Sequence, residues 1–185
     1  MSDVVNAISN LRRVVTENDP NGKSQIMIDE GPAEIFRSGE VGGLYEIWHD
    51  AAQGPLAGLR SDDLAKGTPQ LSPGAGKVKI RWFAIEPAPE GASLEDLTAL
   101  TRQAFIDMGA GDHQPDTRKH PAMHLTHTLD AIILVKGRVR LILDQEDTEI
   151  GPGDVVVQRA TNHAWAVIGD APALFVAVLV DRSAG

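Results

Sequence analysis

Along most of this chain, apolar and polar positions alternate with a period of two. Val78, Ile80, Trp82 and Ala84 interleave with Lys79, Arg81 and Phe83. That spacing predicts a strand over Val78–Ile85 with one set of side chains turned inward. Ser24–Asp29 and Gly43–His49 also read as strands. After Pro121 the β pattern becomes dense, with predicted strands at Ala122–Thr126, Leu129–Val135, Arg138–Leu143, Asp154–Gln158, His163–Ile168 and Leu174–Val180. Short turns at Lys136-Gly137, Gln145–Asp147, Gly151-Pro152-Gly153 and Gly169-Asp170 join them. Strands at this spacing favour an antiparallel sandwich or small barrel, with an open sandwich lacking a cavity as the alternative.

One segment departs from this period. Leu94–Met108 carries a helical stripe of Leu97, Leu100 (or Thr101), Ala104 and Met108. Ser93 and Asp96 stand where a capping box needs them, and Gly109 and Gly111 end the run. The stripe reads as a packing surface. Gln53–Gly76, rich in Pro and Gly, reads as a long loop crossing the surface. Leu174–Val180 is apolar on both faces and must be covered twice, by the N-terminal segment or by a second subunit.

Length and charge narrow the partners. A chain of 185 residues suits one core, so a single domain over 1–185 is expected, with N-terminal strands and loop in 1–92, a helix near 94–108 and the barrel core near 119–182. The net charge of −9 argues against nucleic acid or an anionic membrane as partner. The absence of cysteine excludes disulfides, thiolate zinc sites and Cys nucleophiles. No apolar run approaches the ~20 residues that span a bilayer. The segment MSDVVNAISNLRRVV has no basic region followed by an apolar block, so no leader is expected and a cytoplasmic location is the default.

Chemistry concentrates at the histidines. His113, His120, His124 and His127 fall close together, Asp130 follows, and His163 comes later. Histidine is a common transition-metal ligand, and a carboxylate is its usual companion. On a regular strand His124, Thr126, Thr128 and Asp130 share one face and His127 points away; a bulge near Thr128 would turn His127 inward. If His163 begins a strand on the opposing wall, His124, Asp130 and His163 converge in a barrel mouth. Two histidines and a carboxylate suit Fe, Mn, Ni or Zn with open positions for water. The plainer readings are hydrogen-bonded core histidines or a solvated junction.

This half of the chain resembles the cupin superfamily. The first cupin motif is an H-x-H pair, a glutamate three or four residues on and a glycine six residues further; His124, Thr126, Asp130 and Gly137 stand at that spacing. The second motif is a P-G-D turn, a strand and a histidine, matched by Pro152-Gly153-Asp154 and His163. Gly151–Trp165 is similar to the second motif of a bacterial and fungal subfamily whose first motif also reads H-x-T-x-T-x-D. The resemblance implies an all-β double-stranded β-helix, or jelly-roll, barrel with extra N-terminal strands and about one helix. It covers 119–182 well and the N-terminal half loosely. Several positions depart from the pattern. Thr126 stands where a second histidine is usual, Asp130 replaces glutamate, Val167 stands in place of the asparagine, and Arg159 and Ala160 replace the proline and glycine before the second-motif histidine.

Three ligand sets stay open: His124, Asp130 and His163; a set including an inward His127; and one recruiting His120 or His113. Thr126, Thr128 and Trp165 are expected to line the pocket, with strand filler and core packing as their plainer roles. Arg81, Arg140 and Arg159 are candidate carboxylate anchors, although strand arginines are more often solvated. The implied function is a metal-dependent enzyme on a small organic molecule, of oxygenase, decarboxylase, isomerase or lyase type. In it a divalent ion (Fe, Mn, Ni or Zn) is held by His124, Asp130 and His163, and an inward His127 is the general base. The alternative is a small-molecule-binding module, with or without metal. A homodimer is expected, as is common among cupins.

Overall fold

The computed structural model describes residues 8–39, 41–56 and 62–183. Among the described residues, eleven strands, all paired antiparallel, and a long helix provide most of the regular structure. The N-terminal strands are β1 (Arg13–Asn18), β2 (Ser24–Glu30), β3 (Ile35–Ser38), β4 (Gly42–Ala51) and β5 (Lys77–Ile85). Helix α1 (Leu94–Asp107) and a 3-10 turn at Gly111–His113 follow. The remaining strands are β6 (Thr128–Lys136), β7 (Val139–Leu143), β8 (Asp147–Ile150), β9 (Val155–Arg159), β10 (His163–Val167) and β11 (Ala173–Asp181).

The strands form a six-stranded sheet in the order β3-β4-β5-β11-β6-β9, a three-stranded sheet β10-β7-β8 and the hairpin β1-β2. The two larger sheets close on one apolar core. Leu134, Phe175 and Ala177 from the large sheet meet Val139, Leu141 and Trp165 from the small one. Phe83 and Phe175 are register partners, and their rings stack with centroids 4.4 Å apart. This is the all-β double-sheet jelly-roll barrel. The turn that carries the chain from β6 in the large sheet to β7 in the small one is tight because Gly137 takes a positive φ of 93°, and a Cβ there would lie 2.9 Å from the Ala173 Cα.

Helix α1 has the expected capping box: Ser93 Oγ accepts from the Asp96 N–H at 3.1 Å, and the Asp96 carboxylate accepts from the Ser93 N–H at 3.0 Å. Its buried face is Thr101, Ala104 and Phe105, with Met108 at its end. Leu100, named as an alternative to Thr101, is 38% exposed. Thr101 therefore holds that position of the stripe, and the helical period adds Phe105. This face packs on Leu44, Phe36, Leu71 and Phe83 across one side of the barrel.

Other expectations need correction. Ala122–Thr126 is not a strand: Ala122 lies in a turn, and the segment contributes a single bridge, His124 to His163. β1, β3 and β8 were not foreseen, and Asp147 opens β8 where a turn was expected. The Gln53–Gly76 loop, of which 57–61 lie outside the described residues, is more than a surface crossing. Ala65, Pro69 and Pro73 are buried, and Leu71 N–H donates to Met108 O at 3.1 Å. The outer face of β11 is covered at one end by Ile8 and Leu11, which pack with Leu174, Tyr45 and Ala84. Residues 1–7, on which the leader reading partly rests, also lie outside the described residues. No described helix is long and apolar enough to cross a membrane.

Candidate functional site

Between the sheets and helix α1 lies a cavity of about 150 Å³. Its walls are mostly apolar, with Leu44, Phe83, Phe105, Met108 and Ile132 among them. Its polar side chains include His124, His163, Thr126, Asp130 and Arg81.

One wall carries the two histidines. The His124–His163 bridge sets their rings side by side, with centroids 4.2 Å apart. His124 Nδ1 lies 2.9 Å from Ala122 O, and His163 Nδ1 lies 2.9 Å from Thr161 O. A carbonyl only accepts, so each Nδ1 carries the proton and each Nε2 keeps its lone pair. Burial lowers the His124 pKa to about 3, with His163 as a further cause, and burial lowers that of His163 to about 4. Both rings are therefore neutral near pH 7. Trp165 stands edge-on to His163 at 5.5 Å, and Phe105 lies 5.0 Å from His124.

His163 is placed by the turn before it. Gln158 Nε2 donates to Thr161 Oγ1, and Asn162 Nδ2 reaches Asp144 Oδ1 at 3.0 Å and Asp116 O at 3.1 Å. Ala160 has φ of +50°, in the left-handed region that favours glycine. This is one of the positions where the chain departs from the usual second cupin motif.

The opposite wall is built by strand register. Lys79, Leu179 and Asp130 lie on one rung across β5, β11 and β6; Arg81, Ala177 and Ile132 lie on the next; Phe83, Phe175 and Leu134 on the third. β4 adds Leu44 and Glu46, and the register shift between Glu46 and Trp48 brings His49 opposite Lys79. The inserted residue puts Glu46 and His49 on one face, where His49 Nε2 lies 2.8 Å from Glu46 Oε2. Arg81 Nη2 contacts Glu46 Oε1 at 2.8 Å and donates to Gln70 O. Lys79 Nζ donates to Gln70 O at 2.6 Å and Ser72 O at 3.2 Å, which pins the long loop from inside.

Burial acts on Glu46, Lys79 and Asp130. It pushes Glu46 up, but His49, Arg81 and Lys79 outweigh it and hold the carboxyl below its usual range. Burial lowers Lys79 to about 7. It raises Asp130 to about 6 against opposing effects of Thr128 and Arg81. Asp130 Oδ1 and Arg81 Nε and Nη1 are buried without a hydrogen-bond partner among the described residues.

The remaining site expectations divide. Thr126, Trp165, His124, Asp130 and His163 all line the cavity. Thr128 is buried but does not; its hydroxyl lies 2.7 Å from Thr126 Oγ1 and also serves Asp130. His127 is exposed, so the inward general base is not realised. His120 accepts from Ala122 N–H at 3.1 Å and lines a neighbouring groove, and His113 pairs with Ser72 at 3.0 Å. Among the described residues no three His, Asp or Glu side chains gather into one ligand group. Asp130 sits across the cavity on β6, beside Thr128 and Arg81, while the histidines meet at the start of β10. Of the three arginines considered, only Arg81 lines the cavity; Arg140 pairs with Glu149 at 3.3 Å, and Arg159 is exposed.

The family model described as a cupin domain matches residues 108–179, a span that holds His124, Asp130 and His163. The stretch 108–179 belongs to the cupin superfamily. Among curated proteins, a cupin-domain-containing oxidoreductase of Neurospora crassa is 39% identical over 81 residues, covering 42% of this chain and 38% of the relative. A cupin-domain-containing oxidoreductase of Aspergillus ruber is 32% identical over 81 residues, covering 42% and 36%. The matched part of this cupin thus spans well under half the length of these relatives. A solved cupin 2 conserved barrel domain protein from Salinispora arenicola aligns over 56% of this chain and 63% of that one, at 20% identity and a TM-score of 0.34.

Proposed function

We propose that this cupin is a small-molecule enzyme whose barrel cavity receives a compact organic substrate and whose histidine pair holds a divalent ion. The observation that carries the reading is the pair itself. His124 and His163 lie side by side on the cavity wall, each with Nδ1–H tied to a backbone carbonyl and Nε2 without a hydrogen bond among the described residues. Carbonyl-anchored imidazoles of this kind are typical of metal-binding histidines. Asp130, with a buried oxygen that no donor meets among the described residues, is the third donor in this reading. Its basis is donor chemistry, not a formed coordination sphere. Two imidazoles and a carboxylate suit Fe, Mn, Ni or Zn. Such an ion supplies Lewis acidity or dioxygen activation when bound. The protein's own residues bind and orient the substrate: Phe83, Phe105 and Met108 exclude water from its body, and Thr126 offers a hydroxyl beside it. The oxidoreductase names of the fungal relatives agree with this class.

A second reading, metal-free binding of a small molecule, is favoured by Thr126 at the usual place of a second histidine and by the separation of Asp130 from the pair. Elemental analysis of protein purified without chelator separates the two. Bound Fe, Mn, Ni or Zn that is lost from both His124→Ala and His163→Ala supports the metal reading. Metal-free protein whose thermal unfolding ignores all four ions would overturn it. We also propose a homodimer, formed through the outer face of the large sheet. There Leu129, Val155 and Val157 are 37%, 57% and 61% exposed. Gel filtration at the monomer volume over a wide concentration range would contradict it.

A further inference from the structure

We infer that Arg81 is the recognition residue of the cavity, and that the ligand is a ring-sized apolar molecule bearing a neutral carbonyl oxygen that accepts from it. This rests on the cavity being a small-molecule site but not on the metal. Arg81 is 2% exposed and lines the cavity. Its neighbours engage one nitrogen: Nη2 meets Glu46 and Gln70. Nε and Nη1 have no hydrogen-bond partner among the described residues. A buried donor left unmet costs roughly 1–3 kcal/mol, more when charged, so an acceptor within the cavity restores what the fold leaves out.

The size of the cavity and the charge of its wall define that acceptor. A volume of about 150 Å³ with apolar walls matches the kind of cavity that holds one benzene-sized ring. Phe83, Phe105 and Trp165 supply flat apolar surface for such a body. The wall around Arg81 already carries two carboxyl groups, Glu46 in contact with it and Asp130 on the next rung across β11, set against the cations Arg81 and Lys79, the latter with its pKa lowered to about 7. A third carboxylate would leave uncompensated negative charge against mostly apolar walls, whereas a carbonyl adds an acceptor without charge. An aldehyde or ketone on a ring is therefore the class that fits.

The test is titration of chelated protein with three probes of one size: cyclohexanone, its isostere methylenecyclohexane, and cyclohexanecarboxylate. Binding is followed by NMR, including the side-chain Nε–H resonance of Arg81. The expected result is that cyclohexanone binds on the order of ten-fold more tightly than either other probe and shifts the Arg81 Nε–H signal. In the charge-balanced double variant E46Q/R81M, checked for folding by near-UV circular dichroism, that preference disappears while methylenecyclohexane still binds. Equal binding of the ketone and the hydrocarbon in the wild type would overturn the role of Arg81 and leave the small-molecule reading standing. Tighter binding of the carboxylate would overturn the assignment of a neutral ligand. Failure of all three probes to bind would overturn this inference together with the small-molecule reading. Should the double variant not fold, the wild-type preference and the Arg81 shift decide alone.

Discussion

The two walls of the cavity bury polar groups by opposite means. On the β10 side, His124 and His163 are satisfied by backbone carbonyls and stay neutral. Each keeps one free nitrogen at little electrostatic cost. On the β4-β5-β6 side, Glu46, Arg81, Lys79 and Asp130 are brought together by strand register, and several are ionised out of water. That wall is held by mutual charge compensation, which makes it far more sensitive to loss of any one member. The difference separates two tasks: the neutral wall is suited to donating lone pairs, the charged wall to orienting a polar substituent.

The largest effect should come from breaking that compensation. Glu46→Gln leaves Arg81 buried without its closest counter-charge and is expected to cost about 3–5 kcal/mol in urea unfolding at pH 7. A loss below about 1 kcal/mol would mean that the charged wall is not held as described.

The pH dependence should separate the walls next, on chelated protein. The folded pKa values of His124 and His163 lie near 3 and 4, below the ordinary 6.5, so the unfolded chain binds more protons in that interval. Stability is then lost as pH falls from 6.5 toward 3. Asp130, raised to about 6, opposes this between pH 6 and 3.8 with a smaller shift. Lys79 acts in another window. Lowered from 10.5 to about 7, it penalises the fold fully below pH 7 and is relieved as pH rises toward 10.5. Each window is expected to span a few kcal/mol in chemical denaturation series. Lys79→Met should flatten only the upper window and His163→Phe only the lower. Persistence of the upper rise in Lys79→Met would assign it to another group.

The contrast also separates what was legible in the sequence from what was not. The histidine wall could be read because its motif is local: His124, Thr126, Asp130 and Gly137 stand at cupin spacing, and the P-G-D turn leads to His163. The strands and the helix were legible through their periods and caps. The charged wall was not. Arg81 and Lys79 looked like the solvated half of an alternating strand, and only the β4 bulge and the pairing with β11 show that their face points inward. The buried cluster of Glu46 and His49 has no sequence signature, since their shared face requires the extra residue at Ile47. β1, β3 and β8 escaped because short edge and hairpin strands carry weak alternation.

A smaller effect tests the turn that positions His163. Ala160 takes φ of +50° where glycine is the usual residue of this motif. Ala160→Gly should stabilise the protein by roughly 0.5–1 kcal/mol, the relief of left-handed strain less the added freedom of the unfolded chain. A loss of stability in thermal unfolding would show that the Ala160 methyl packs usefully.

The free Nε2 lone pairs of the histidine wall are the feature on which the functional reading turns. Long-range ¹H–¹⁵N spectra of the imidazole rings in chelated protein at pH 7 observe them directly. The expected result is that His124 and His163 are both neutral, both protonated at Nδ1, and both bare at Nε2. Finding either ring as an imidazolium, or protonated at Nε2, would contradict the account.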